Sequence, residues 1–221
     1  MDFSHDTLLP LKIEYHFKET FIWSFSGVIL ILLSSLFNII DLLVTRWAYV
    51  GWFRQYLIRS TMSISFLPLA IGFGMIFSNF FVGFIRREGE LAKNWLIVYS
   101  IAEMVSLFTL STIVLGAFTL LAIIFGKLIA FIYLDRVFLK LKKNDEVKIN
   151  FSLVYPLFGS YRIVVAIVVG IAANVRDYET ELYLIAVNAT LEAIFTFIIG
   201  IKLLIDLLKI RSYINSKRKK K

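Results

Sequence analysis

Four ionisable residues, Glu103, Lys127, Arg162 and Glu192, stand inside otherwise apolar stretches of this chain. Arg162 lies 12 residues before Asn174 and Glu192 lies 12 residues after Thr180, with a short polar turn at 175–179 between them. If both flanks are helical, a rise of about 1.5 Å per residue places each charge roughly 18 Å from the turn, near the middle of a bilayer. The two are therefore expected to be partners. Glu103 and Lys127 repeat the pattern in the opposite chain order, about 11 residues before and about 12 after a turn expected at 111–116. Charges at that depth are costly, are normally paired, and mark functional sites by default.

An acid and a base held at matching heights support two kinds of role. In one, Glu103 or Glu192 changes protonation or ion occupancy while Arg162 and Lys127 bind an anionic group or hold the resting charge. In the other, the pairs fix helix packing and register, and removing one partner costs about 3–5 kcal/mol because its mate is left buried. Further polar residues share faces with these groups. Asn188, Glu192 and Thr196 follow one another at intervals of four, as do Lys202 and Asp206. Tyr155, Gly159, Arg162, Ala166, Gly170 and Ala173 make a small-residue face around the arginine. Ser34, Asn38, Asp41 and Thr45 form a polar stripe on an earlier segment, and Gly72 and Asn79 share a face that can pack on it. The candidate binding set is Arg162, Glu192, Glu103, Lys127, Asn188, Asn79, Asn38 and Asp41. Asp41 lies near a span end, where a solvated carboxylate explains it before a buried site does. Lys202 and Asp206 are expected to lie close enough to the far end of their span to snorkel.

The elements that must carry these residues follow from composition. A chain that is 59% hydrophobic and 16% aromatic, with mean hydropathy +0.79, is expected to be an all-α polytopic membrane bundle rather than a soluble domain. The net charge of +8 does not indicate nucleic acid, because the lysines and arginines sit mostly between and after apolar spans. There is no cysteine, which excludes disulfides and thiolate metal sites. His5 and His16 both precede the first span, so haem ligation, histidine-bound metal and serine–histidine catalysis within the bilayer are excluded too. No cofactor is expected. No cleavable signal is apparent in the first 20 residues, so the first span is expected to remain as an anchor.

Six spans are expected, at about 21–44, 60–85, 94–113, 116–134, 151–174 and 180–208. They are preceded by an interfacial segment at 1–20 and followed by a basic cytoplasmic tail at 209–221. The stretch 94–134 decides between six spans and five: as one helix it would be about 60 Å long, twice the hydrocarbon thickness, so a turn near 111–116 is expected. Pro68 is expected to bend the second span. Residues 46–59, with Trp47, Tyr49, Trp52 and Tyr56 beside three arginines, have the composition of an interface-lying segment. With both ends inside, the inner segments hold two, three, five and seven lysines and arginines in chain order, against four outside, which supports a cytoplasmic carboxyl terminus in a cell membrane.

These observations lead to a small carrier, channel or proton-coupled component centred on the buried charges. The alternative is a non-transporting accessory subunit whose polar stripes meet partner subunits or a second copy of itself. A lipid-modifying enzyme using Asp41 has the least support, since no paired catalytic motif surrounds that residue. The basic tail suits anionic lipids, at about 1 kcal/mol per cation near a charged leaflet. No phosphate-binding glycine loop and no GxSxG elbow is present.

Overall fold

A computed structural model describes residues 8–44, 60–79, 85–109, 113–143, 154–172 and 178–218. All regular structure among them is helical: α1 (Leu8–Val44), α2 (Phe66–Asn79), α3 (Arg86–Thr109), α4 (Ile113–Lys143), α5 (Val154–Ala172) and α6 (Tyr178–Arg218). The aromatic segment at 46–59, the polar turn at 175–179 except its last two residues, and the extreme basic end at 219–221 lie outside the described residues. Lys18–Val44, Ser60–Ser78 and Ala117–Leu141 are each long and apolar enough to cross a membrane.

Local chemistry explains the main boundaries. Residues 60–64 are helical, but the chain turns at Ser65 before α2 begins. Pro68 has no N–H to offer the carbonyl of Ile64, four residues earlier, and its ring crowds that carbonyl, so the expected bend falls here. Pro10 sits in the first turn of α1, where a missing donor costs nothing. In place of one long helix over 94–134, α3 ends at Thr109 and α4 starts at Ile113, just before and within the 111–116 stretch where a break is expected.

Two helices run further than expected. The 8–20 stretch is continuous with α1, and 209–218 is continuous with α6. These helices have 37 and 41 residues, about 55 and 60 Å against a hydrocarbon core of roughly 30 Å. Gly200 abuts Ile31 and Leu32, while the Arg211 guanidinium lies over Phe25. The two helices are thus antiparallel, and the start of one projects with the end of the other. Ile210 and Ile214 are buried in that extension, so its helix is held by packing.

The bundle is a closed ring in which each helix packs on its successor and α6 returns to α1. Ser34 meets Ser65 and Gly27 meets Leu69 at the α1–α2 seam, Tyr99 meets Ser63 at α2–α3, and Glu88 meets Lys140 at α3–α4. Phe138 stacks on Tyr155 at α4–α5, and Tyr155 reaches Asp206 at α5–α6. In every pair the residue numbers rise on one helix as they fall on the other, so all six seams are antiparallel.

The interior is packed with rings rather than open. Phe66, Phe131 and Phe158, from α2, α4 and α5, meet mainly edge to face, with Phe131 and Phe158 4.8 Å apart at 82°. The outward faces are apolar: Leu33 and Phe37 on α1, Phe108 on α3, Phe118 and Phe125 on α4, Val164 and Ile167 on α5, and Ile198 and Ile205 on α6 are exposed.

At the α1–α2 seam the two backbones approach closely. A Cβ on Gly72 would lie 2.2 Å from Ser24 Oγ, and one on Gly27 would lie 2.4 Å from the Leu69 backbone nitrogen. Glycine at both positions lets the helices touch through their backbones. Gly72→Ala is expected to cost about 1–3 kcal/mol through overpacking, and an unchanged unfolding midpoint in detergent would contradict this contact.

Candidate functional site

Lys127 of α4 is completely buried and its ammonium lies 2.6 Å from Glu192 Oε1 on α6. The ion pair thus crosses the ring between helices that are not chain neighbours. The sequence expects Lys127 to meet Glu103 and Glu192 to meet Arg162; among the described residues the structure joins Lys127 to Glu192, one member of each expected pair, and the Arg162–Glu192 expectation falls on a side chain outside the described residues. Phe158 faces the ammonium at 3.7 Å from its centroid, with Tyr99 and Tyr161 each at 5.8 Å. Among the described residues, three ring faces and the Glu192 carboxylate stand where a lysine ordinarily keeps water.

Glycines beside these residues make the enclosure tight. The Cβ position of Gly126 lies 3.2 Å from the Tyr99 backbone, drawing α3 onto α4, and that of Gly159 lies 3.2 Å from Phe131 Cβ, drawing α5 onto α4. On the carboxylate side, buried Ala189 and Ala193 let α6 approach the bundle. Thr196 donates its hydroxyl to the Glu192 carbonyl at 2.7 Å.

The other candidates fall into three places. Asn188, one turn from Glu192, accepts the Tyr161 hydroxyl on Oδ1 at 2.8 Å. Glu103 is buried on α3, and its carbonyl receives Ser60 and Ser106 hydroxyls at 3.1 and 2.6 Å. Asn38 belongs to the α1–α2 seam, where its amide reaches Thr61 Oγ1 at 3.5 Å, and Asp41 is half-buried on the same helix. Arg162 follows Tyr161 on α5 and Asn79 ends α2, but both side chains lie outside the described residues.

A second polar cluster corrects the expectation that Lys202 and Asp206 snorkel at a span end. Asp206 is fully buried, and its Oδ2 accepts the Tyr155 hydroxyl at 2.8 Å and the Lys202 ammonium. The available signal was periodicity: Leu203, Leu207, Ile210 and Ile214 continue the buried face of α6 past residue 208, which moves Asp206 inward from the end. The aromatic cage was missed because Tyr99, Phe158 and Tyr161 look like ordinary core residues in sequence.

Towards the ends of α3 and α4, Lys140 donates to Glu88 at 2.6 Å. That hydrogen bond holds the Glu88 carboxyl below its ordinary range. Among the described residues, no group of three His, Asp or Glu side chains is placed to hold a metal. Comparison of the chain with protein-family models, curated proteins and solved structures finds no match.

Proposed function

We propose that this chain is a six-span membrane carrier component, with both ends cytoplasmic, in which Glu192 takes and releases a proton against Lys127. The observation that carries this is the fully buried ion pair bridging α4 and α6. Two buried charges seldom stabilise a fold better than apolar residues of similar volume, and in a bilayer they are usually kept for a task. Six crossings are supported by the exposed apolar side chains on α3, α5 and α6 as well as on α1 and α4. The excess of lysine and arginine on alternate connections supports the orientation. In this arrangement the extension of α6, with Lys209, Arg211, Lys217 and Arg218, meets anionic headgroups on the cytoplasmic side.

The test is proton flux in liposomes containing the purified protein. Glu192→Gln is expected to abolish flux in protein that is less stable, as for any broken buried pair, yet still helical and monodisperse at the temperature of the assay. Flux that survives the substitution would remove Glu192 from the pathway.

A second proposal, an accessory subunit, is favoured by a different observation. The two described cavities, about 480 Å³ between α1 and α2 and about 140 Å³ between α5 and α6, are lined by exposed Leu33 and Val164 and open sideways instead of onto Lys127. This proposal expects partner subunits, or a second copy of the chain, to co-purify in mild detergent.

A further inference from the structure

We infer that Asp206, with Lys202, Tyr155 and Asp135, forms a second proton-binding site in the bundle, distinct from the Lys127–Glu192 pair. Asp206 is fully buried, and both of its observed donors, the Tyr155 hydroxyl and the Lys202 ammonium, bind the same oxygen, Oδ2. Oδ1 is also buried and receives no hydrogen bond from any described residue. A buried carboxylate oxygen without a donor costs the full desolvation of that atom.

The charges around it are uneven. Asp135 of α4 is half-buried within electrostatic reach of the Lys202 ammonium. Tyr155 of α5 is neutral and donates a hydrogen bond from its hydroxyl to Asp206. The stretch of α1 facing this level lies between the Arg211–Phe25 and Gly200–Ile31 contacts and contains no titratable side chain. Among the described residues seen to interact here, two carboxylates, Asp206 and Asp135, therefore share one ammonium, Lys202, and this group of three carries one negative charge in excess.

One proton from solvent cancels that excess. It binds Asp206 Oδ1, converts the carboxylate to a carboxylic acid, and brings the cluster of Asp206, Asp135 and Lys202 to neutrality. Oδ1 is the atom left open to it. A metal cation fits poorly, because the side chains seen to interact here are two carboxylates, a phenol already donating and an ammonium, and among the described residues no group of three acidic or histidine side chains is placed to hold a metal. Lys202 keeps 15% of its side chain exposed, which with half-buried Asp135 provides the route from water. Along α6 the site lies between Glu192 and the cytoplasmic end, where a proton bound for the central pair would stop. That placement in a transport path rests on the function proposed above, whereas the binding itself does not.

The experiment is pH-difference infrared spectroscopy of the full chain in nanodiscs, following the C=O stretch of a protonated carboxyl group. A titrating band is expected in the wild type and in Glu192→Gln, and is expected to be absent in Asp206→Asn. Lys202→Met should move its midpoint up, and Asp135→Asn should move it down, each by about one to three pH units. A band unchanged in Asp206→Asn overturns the assignment, as does a band abolished by Asp135→Asn and merely shifted by Asp206→Asn. A midpoint that follows sodium at fixed pH, and not potassium, replaces the proton with a metal ion. Because this readout needs no flux, loss of the proposed transport function leaves the band in place, and loss of the band leaves the flux measurement standing.

Discussion

Lys127→Met is expected to lower stability in detergent by about 3–5 kcal/mol, because Glu192 stays buried after losing its ammonium. Methionine preserves the length and apolar bulk of the lysine stem, so packing changes little and the electrostatic loss dominates. Adding Glu192→Leu should recover most of the loss, since replacing both members of a buried pair by apolar residues is often neutral or stabilising. Unfolding midpoints of the wild type, both single variants and the double variant give the coupling directly. If the two losses simply add, the carboxylate draws its stabilisation from groups other than Lys127. The double variant also separates the functional proposals. A carrier should become stable and inactive, whereas an accessory subunit should keep its partners.

Phe158→Ala is expected to cost a comparable amount, about 3–5 kcal/mol, by a different route. The ring is 1% exposed and contacts Phe131, Phe66 and the Lys127 ammonium, so truncation opens a cavity beside a buried cation. Phe158→Leu separates the two contributions. Leucine restores most of the volume but offers no π face, and a desolvated cation–π contact is worth about 2 kcal/mol or more. Alanine should therefore be worse than leucine, and leucine measurably worse than phenylalanine, in the same unfolding measurement. A leucine variant as stable as the wild type would reduce Phe158 to filler.

The elements were legible in the sequence where a single residue or a length decided them. Pro68 announced the turn at Ser65, and the excessive length of 94–134 announced the break between α3 and α4. The height of the charges could be counted along each helix. Their direction around the helix could not, because an apolar segment surrounded by lipid and protein has no strong polar face to orient it. Chain proximity therefore suggested pairs within each hairpin, while ring closure brings α4 and α6 together through their interior faces. The same ambiguity hid Asp206. The contacts of Gly200 with Ile31 and of Arg211 with Phe25, and the buried residues continuing to Ile214, show that α6 still packs on α1 at that level.

The closure of the ring also sets an order for making the protein. Lys127 is synthesised 65 residues before Glu192, so during translation α4 is complete while its counter-ion is still in the ribosome. Until α6 arrives and docks on α1, the nascent chain holds the Lys127 ammonium without the Glu192 carboxylate it meets in the finished bundle. Chains truncated before α6 are therefore expected to be less stable than the full chain and to be held by the insertion machinery or sent to proteases, which makes the last helix the quality-control checkpoint for the first five.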